Sequence, residues 1–176
     1  MPGQQTTVRL IDVADAAAVA AHRARDAKAF VPWEPAQPDS FFTAEGQAAR
    51  IEQLLEGYRA GTHWPGVVLV DGVVAGQVTL GGILRQPHLR KATVGYWIGS
   101  VFQNQGHATR AVAEIVRVMT GELGLHRAEA QTRFENLASH TVLRRNGFRP
   151  YGVAREHIFV DGAWRDVILW EQILRP

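Results

Sequence analysis

Gln103-Asn104-Gln105-Gly106-His107-Ala108-Thr109 joins a run with strand character to one with helical periodicity. The first N–H groups of a helix lack intrahelical partners, and the helix dipole adds positive potential there, so such a junction suits an anion. Gly106 lets the backbone approach a ligand closely. No acidic residue stands between Val101 and Ala113 to repel one. Taken alone, the segment reads at least as well as a plain strand-to-helix turn. Two other phosphate loops are absent: there is no G-x-x-x-x-G-K-S/T, and no G-x-G-x-x-G followed by an acid about 20 residues on. A nucleotide kinase or dinucleotide enzyme is therefore disfavoured.

Working outward, Val112, Ile115, Val116, Met119 and Leu123 fall on one face of a helix expected over residues 106–123, stopped by Gly124. Upstream, residues 92–99 read as a strand, reached through a less regular stretch, 81–90, that contains Pro87. Residues 66–70 and 73–80 form two strands around Asp71-Gly72, a strong hairpin signal. Residues 7–11 give a first strand, and the Ala-rich residues 15–29 a helix that Pro32 and Pro35 cannot continue. Thr43 is placed to cap a second helix with Ile51, Leu54, Leu55 and Tyr58 on one face, ending at Gly61. Downstream come a strand over 127–132, a helix over 137–145 between Asn136 and Asn146-Gly147, and strands over 158–160 and 164–174 around Asp161-Gly162. The order is β-α-α-β-β-β-α-β-α-β-β. Irregular alternation of this kind implies a mixed α/β sheet with helices packed on its faces, in a single domain over 1–176.

Composition narrows the function classes. With 46% hydrophobic and 20% charged residues the chain is ordinary globular material, and a net charge of +2 is too small to argue for nucleic acid. No cysteine is present, which removes thiolate zinc sites and cysteine nucleophiles, and the seven histidines show no i,i+4 ligand pair, so no metal is expected. Met1-Pro2-Gly3-Gln4-Gln5-Thr6-Thr7 lacks the pattern of a secretory signal, and no apolar run is long enough to span a bilayer. A cytoplasmic protein without membrane contact is the expectation.

Gln103-x-x-Gly106-x-Ala108 resembles the Q/R-x-x-G-x-G/A signature of the GNAT acetyltransferases, and its surroundings match in order. Gly95-Tyr96-Trp97 precedes it. Asn136-Leu137-Ala138-Ser139, Arg144-Arg145-Asn146-Gly147-Phe148 and Asp161-Gly162-Ala163-Trp164-Arg165-Asp166 follow, as in the RimJ/RimL branch of ribosomal-protein N-terminal acetyltransferases. Val31-Pro32-Trp33 fits too, so the resemblance spans nearly the whole chain. It implies a GNAT-like fold: a central, twisted, mostly antiparallel sheet with helices on both faces.

The resemblance also implies a site. Acetyl-CoA is the acyl donor, and its pyrophosphate rests on Gln103, Asn104, Gln105, Gly106, His107, Ala108 and Thr109. Trp97, Ile98 and Gly99, continuing from Tyr96, pair with its pantetheine arm, and a strand amide serves the oxyanion. Asn136 hydrogen-bonds the pantetheine, or simply caps its helix. Ser139 donates to the leaving sulfur, or only positions cofactor. Many relatives carry a Tyr acid seven residues after that Asn; here the residue is Leu143. Relatives often carry a Glu base where this chain has Thr93; Glu34, His63 and Glu156 are the candidate substitutes. Trp33, with Tyr96, borders the acceptor, unless Trp33 is a core plug.

A weak base suits an α-amine, whose pKa of about 7.7–8.0 lies roughly 2.5 units, or about 3.4 kcal/mol, below lysine's. The leading expectation, which the resemblance through Gly95-Tyr96-Trp97, Asn136-x-x-Ser139 and Asp161-Gly162-x-Trp164-Arg165-Asp166 implies, is acetylation of a protein N-terminal α-amine. The alternatives are a small-molecule amine attracted by Glu34 and Asp39, and an acyl-CoA-binding module with little catalysis. The implied partners are acetyl-CoA and an amine acceptor, with room for a homodimer.

Overall fold

Local signals place most of the turns. Asp71-Gly72 and Asp161-Gly162 close two hairpins with all four residues at positive φ, the backbone that two-residue hairpin loops require. Asn136 caps α5 (Leu137–Arg145), its side chain accepting from the Ser139 N–H, and Thr43 caps α3 (Ala44–Arg59) through the Gly46 N–H. The computed structural model describes residues 4–175. Met1–Gly3, part of the segment read above as carrying no secretory signal, and Pro176 lie outside the described residues.

The strands are β1 (Thr6–Leu10), β2 (Trp64–Val70), β3 (Val73–Gln86), β4 (Leu89–Ile98), β5 (Arg127–Arg133), β6 (Arg149–Val160) and β7 (Ala163–Ile173). They form one sheet in the order β1-β2-β3-β4-β5-β7-β6, antiparallel except between β4 and β5. Consecutive residues face opposite sides of the sheet. Val68 thus joins Val78, Leu80, Leu143 and Trp170 on the face covered by α4 (His107–Arg117) and α5, with Ile115 and Met119. Val67 joins Ile11, Val19, Ile51 and Trp97 on the face covered by α1 (Ala16–Arg25) and α3. Each such side chain contributes about 1.5–3 kcal/mol on burial. Among the described residues no helix is long and apolar enough to cross a membrane.

Four expectations are corrected. The helix over 15–29 breaks at Asp26 into α1 and α2 (Ala27–Phe30), because the Asp26 carboxylate is taken by the N–H and hydroxyl of Ser100 at 2.8 and 2.6 Å. The stretch 81–90 is not irregular: β3 and β4 pair up to Gln86 and Leu89, with Pro87 in the turn where no N–H is needed, and the only disturbance is a register shift between Gly81 and Leu84. The helix over 106–123 ends at Arg117 and continues as a π turn over Val118–Glu122. Tyr58 is exposed, since α3 buries Ile51 but turns its last part to solvent.

One pairing positions everything that follows. β4 meets β5 only through Lys91, Ala92 and Thr93 opposite Arg127, Ala128 and Glu129. Beyond Thr93, β4 stays with β3, while β5 stays with β7, so the sheet opens between them.

Candidate active site

The opening continues as a groove of about 540 Å³. Tyr96 packs on the α4–α5 side of the sheet and Trp97 on the α1–α3 side, and both line it. The groove therefore passes from one face of the sheet to the other. On the α4–α5 face it is walled by Gln103, Asn104, Gly106, His107, Ala108, Thr109, Asn136 and Ser139; Phe30, Trp33 and Glu34 come from the other side.

At the α4 end, Asn104 (φ 61) and Gly106 (φ 81) curl the backbone through left-handed conformations, and Gly106 tolerates this because it has no Cβ. Among the described residues, no protein acceptor takes the N–H groups of Asn104 through Thr109; the first bond of the segment runs from Arg110 N–H to the Gly106 carbonyl. This cradle fits a pyrophosphate, and Arg145 adds an exposed cation at the groove wall. Arg110 braces the loop from behind, donating to the Gln105 carbonyl (2.9 Å) and to Thr6 Oγ1 (2.7 Å).

The side chains of the loop do other work. Gln103 Nε2 donates to the Ile98 carbonyl (2.8 Å), tying the loop to the end of β4. Gln105 Nε2 donates to the Val101 carbonyl (3.1 Å). His107 is 1% exposed. Its Nδ1 accepts from Thr6 Oγ1 (2.8 Å) and Arg110 (3.0 Å), which leaves the proton on Nε2, an atom without a partner. Burial, then the Arg110 charge, lower its pKa and keep the ring neutral. His107 thus serves the groove through its backbone.

Gly99, at the end of β4, allows a close approach: a Cβ there would lie 2.4 Å from His22 Nδ1. The next residue, Ser100, is held by Asp26. Burial works to raise the Asp26 pKa, but the bonds from Arg25 and Ser100 outweigh it and hold the carboxyl at about 2. Asp26 was missed in the sequence; the one signal was an acid inside an Ala-rich helical run.

Mid-groove, the Tyr96 hydroxyl donates to the Ser139 carbonyl across a long 3.4 Å, and burial pushes its pKa up to about 12. Tyr96 and Ser139 are therefore neighbours, both uncharged. Asn136 gives Oδ1 to its cap at 3.0 Å, and its amide nitrogen has no partner among the described residues. Leu143 is fully buried and offers no acid.

Thr93 sits at the last β4–β5 pair, opposite Glu129, whose carboxylate is committed to Lys91 (2.9 Å) and Arg127 (2.7 Å). Of the three base candidates, only Glu34 lines the groove. Its two oxygens accept from one nitrogen of Arg23 at 3.0 and 2.8 Å. His63 packs beside Gly57, and Glu156 is exposed on β6. Asp39 is exposed and lines no part of the groove. Trp33 faces the guanidinium of Arg133 at 5.7 Å, and Arg133 also bonds the Pro32 carbonyl, so this loop is pinned to the end of β5. Among the described residues no group of three or more His, Cys, Asp or Glu is placed to hold a metal.

Known proteins share this fold. A family model described as an acetyltransferase (GNAT) domain matches residues 5–149. The chain is 30% identical over 168 residues to the probable N-acetyltransferase YjcK of Bacillus subtilis, covering 94% of this chain and 92% of that protein. It is 29% identical over 164 residues to the ribosomal protein uS5-alanine N-acetyltransferase of Escherichia coli, covering 92% and 84%. Among solved structures, Mycobacterium smegmatis RimJ in complex with CoA-disulfide superposes with a TM-score of 0.92 at 33% identity, over 96% of this chain and 81% of that one. The ribosomal-protein-S5-alanine acetyltransferase of Vibrio fischeri gives 0.90 at 32%, over 98% and 95%.

Proposed function

The chain belongs to the GNAT acetyltransferase family, and we propose that it carries the acetyl group of acetyl-CoA to the N-terminal α-amine of a protein. The observation that supports this best is the groove through the sheet, with an anion cradle on one face and Phe30, Trp33 and Glu34 on the other. Such a passage lets a long anionic donor and an amine meet from opposite sides.

Acetyl-CoA supplies an acyl thioester. The free N–H groups of Asn104 to Thr109 bind its pyrophosphate, and the edge of β4 that faces the groove at Tyr96 and Ile98 offers backbone groups to its pantetheine; both backbone groups of Gly99 are already taken, by Ala75 and Phe102, and the Trp97 carbonyl faces β3. The Asn136 amide holds the same arm. Ser139, a neutral hydroxyl on the groove wall, is set to donate to the leaving sulfur, while the Tyr96 hydroxyl donates to the Ser139 carbonyl and braces that turn against β4. Glu34 meets the incoming ammonium. Both its oxygens already accept from Arg23, so an acceptor that loses its proton readily is favoured, and an α-amine leads lysine by the roughly 2.5-unit difference in their pKa values. Relatives named for acting on a ribosomal-protein alanine point the same way. A small cationic amine fits less well, because Asp39 stands outside the groove.

Thiol release from acetyl-CoA with peptides beginning in Ala or Ser tests the reading. Turnover is expected on free N-termini and not on N-formylated peptides carrying an internal lysine, and Ser139→Ala is expected to lower kcat about tenfold with little change in the KM for acetyl-CoA. Equal turnover on the blocked lysine peptides would refute it.

A further inference from the structure

A second cavity, of about 320 Å³, adjoins the groove on its α1–α3 face and shares Phe30 and Glu34 with it. Its walls are mostly apolar: Val31, Phe41 and Phe42 from the segment after α2, and Phe159 from the β6–β7 hairpin. We infer that this cavity receives the side chain of the acceptor's second residue, so that the enzyme selects protein N-termini with a large apolar residue at that position. This rests on the N-terminal reading above and narrows it to a class of sequences.

Continuity carries the first part of the argument. An ammonium placed at Glu34 stands where the two cavities meet. An extended chain advances about 3.3–3.6 Å per residue, so the side chain after the acetylated residue is the first that reaches beyond Glu34.

Charge carries the second part. Among the described residues, the ionisable groups lining the cavity are Arg23, Glu34 and Asp161. Arg23 is 6% exposed, gives one nitrogen to both Glu34 oxygens, and lies 4.1 Å from the Trp97 ring centre and 4.7 Å from that of Phe30. Its charge is spent inside the protein. Glu34 shares that pair but keeps lone pairs for an ammonium at the junction, the unpaired charge among the described lining residues is Asp161 at the hairpin, and Arg50, stacked over Phe41, stands outside the lining. An ammonium is welcome at the junction, an apolar group in the cavity, and a carboxylate in neither.

The rim carries the third part. Phe159 is 51% exposed and Trp164 60%, paired edge-on with ring centres 5.7 Å apart across the hairpin. Aromatic rings left in water beside an apolar cavity gain contact area when a polypeptide lies across them.

The test is a series of peptides Ser-X with X as Leu, Phe, Gly or Asp and an otherwise constant tail, read as kcat/KM by thiol release at saturating acetyl-CoA. Leu and Phe are expected to exceed Gly by about tenfold or more, the worth of burying such a side chain, with Asp slowest. Ala36→Leu, which adds bulk to the cavity wall from an exposed loop position, and Phe159→Ala, which removes a wall, should each collapse the Leu-to-Gly ratio, with folding checked by thermal denaturation. Equal efficiency for Leu, Gly and Asp peptides overturns this inference while leaving N-terminal acetylation intact. No release above the peptide-free background with any of the peptides overturns both. Butyryl-CoA used as readily as acetyl-CoA, with no preference at X, would assign the cavity to the donor and overturn the inference as well.

Discussion

Along its β3 edge, β4 is paired from Leu89 to Ile98; along its β5 edge it is paired only from Lys91 to Thr93. The two edges belong to the same ten residues and share their side chains. On the β3 side the backbone groups hold the sheet together. On the β5 side, past Thr93, no strand pairs with them; Tyr96 and Ile98 border the groove there, and Gln103 holds the Ile98 carbonyl. A sheet can thus carry a binding site without giving up stability, because the seam that opens is flanked by β3–β4 and β5–β7 ladders that stay closed.

Three substitutions probe this contrast. The largest effect is expected from Gly106→Val, which strikes the open side alone. A β-branched residue at φ 81 is strained, and its Cβ would meet Arg110 at 3.0 Å. CoA affinity, measured by isothermal titration, should fall about 10–100-fold, the equivalent of roughly 1.4–2.8 kcal/mol, with the far-UV spectrum unchanged. Retained affinity would mean that the cradle does not hold the pyrophosphate.

Asp26→Asn comes next, because it loosens the clasp that fixes the start of the open side. Loss of charge-assisted bonds to Ser100 and Arg25 should cost about 1–2 kcal/mol in urea unfolding and raise the KM for acetyl-CoA several-fold. The folded pKa of about 2 lies below the unfolded value near 3.8. The contribution of Asp26 is therefore complete above pH of about 4 and fades as pH falls toward 2. The variant should lose that part of the acid slope.

The smallest effect belongs to His107→Phe, on the packed side of α4. The folded pKa of His107 is lowered, so its neutral ring supports the fold fully above the unfolded value of about 6.5, and this support declines as pH drops below it. Phe should flatten the stability profile below pH of about 6.5 and leave CoA affinity at neutral pH nearly as it was. A large loss of affinity would place the imidazole itself in the groove.

Local features were readable from sequence because their causes are local. Asn136, Thr43, Asp71-Gly72 and Asn146-Gly147 each act on residues within a turn of themselves, and each stands where its chemistry placed it. The anion cradle was half legible: Gly106 marked the place, but the inward commitments of Gln103 and His107 depend on Ile98 and on β1. Asp26 was illegible because its partner Ser100 lies 74 positions away. The open edge of β4 was illegible for a related reason. Residues 94–98 have the same strand character whether or not a neighbour pairs with them, and only the departure of β5 toward β7 decides it. The second cavity draws on α1, the Pro-rich loop and a distant hairpin, so no single stretch of sequence announces it.

An unpaired strand edge can also recruit a neighbouring molecule, and the outer rim of the sheet faces that hazard at β6. There the ladder with β7 slips between Pro150 and Gly152 and again between Ala154 and Ile158. Glu156 sits at φ 46 with its N–H turned onto Asp166 at 2.8 Å. Pro150 has no N–H to offer. A twelve-residue border strand interrupted this often is a poor template for another chain. At the opposite rim β1 is only five residues long. The backbone groups left open inside the sheet are thus reachable by a slender ligand, while the outer margins resist the edge-to-edge stacking that leads to aggregation.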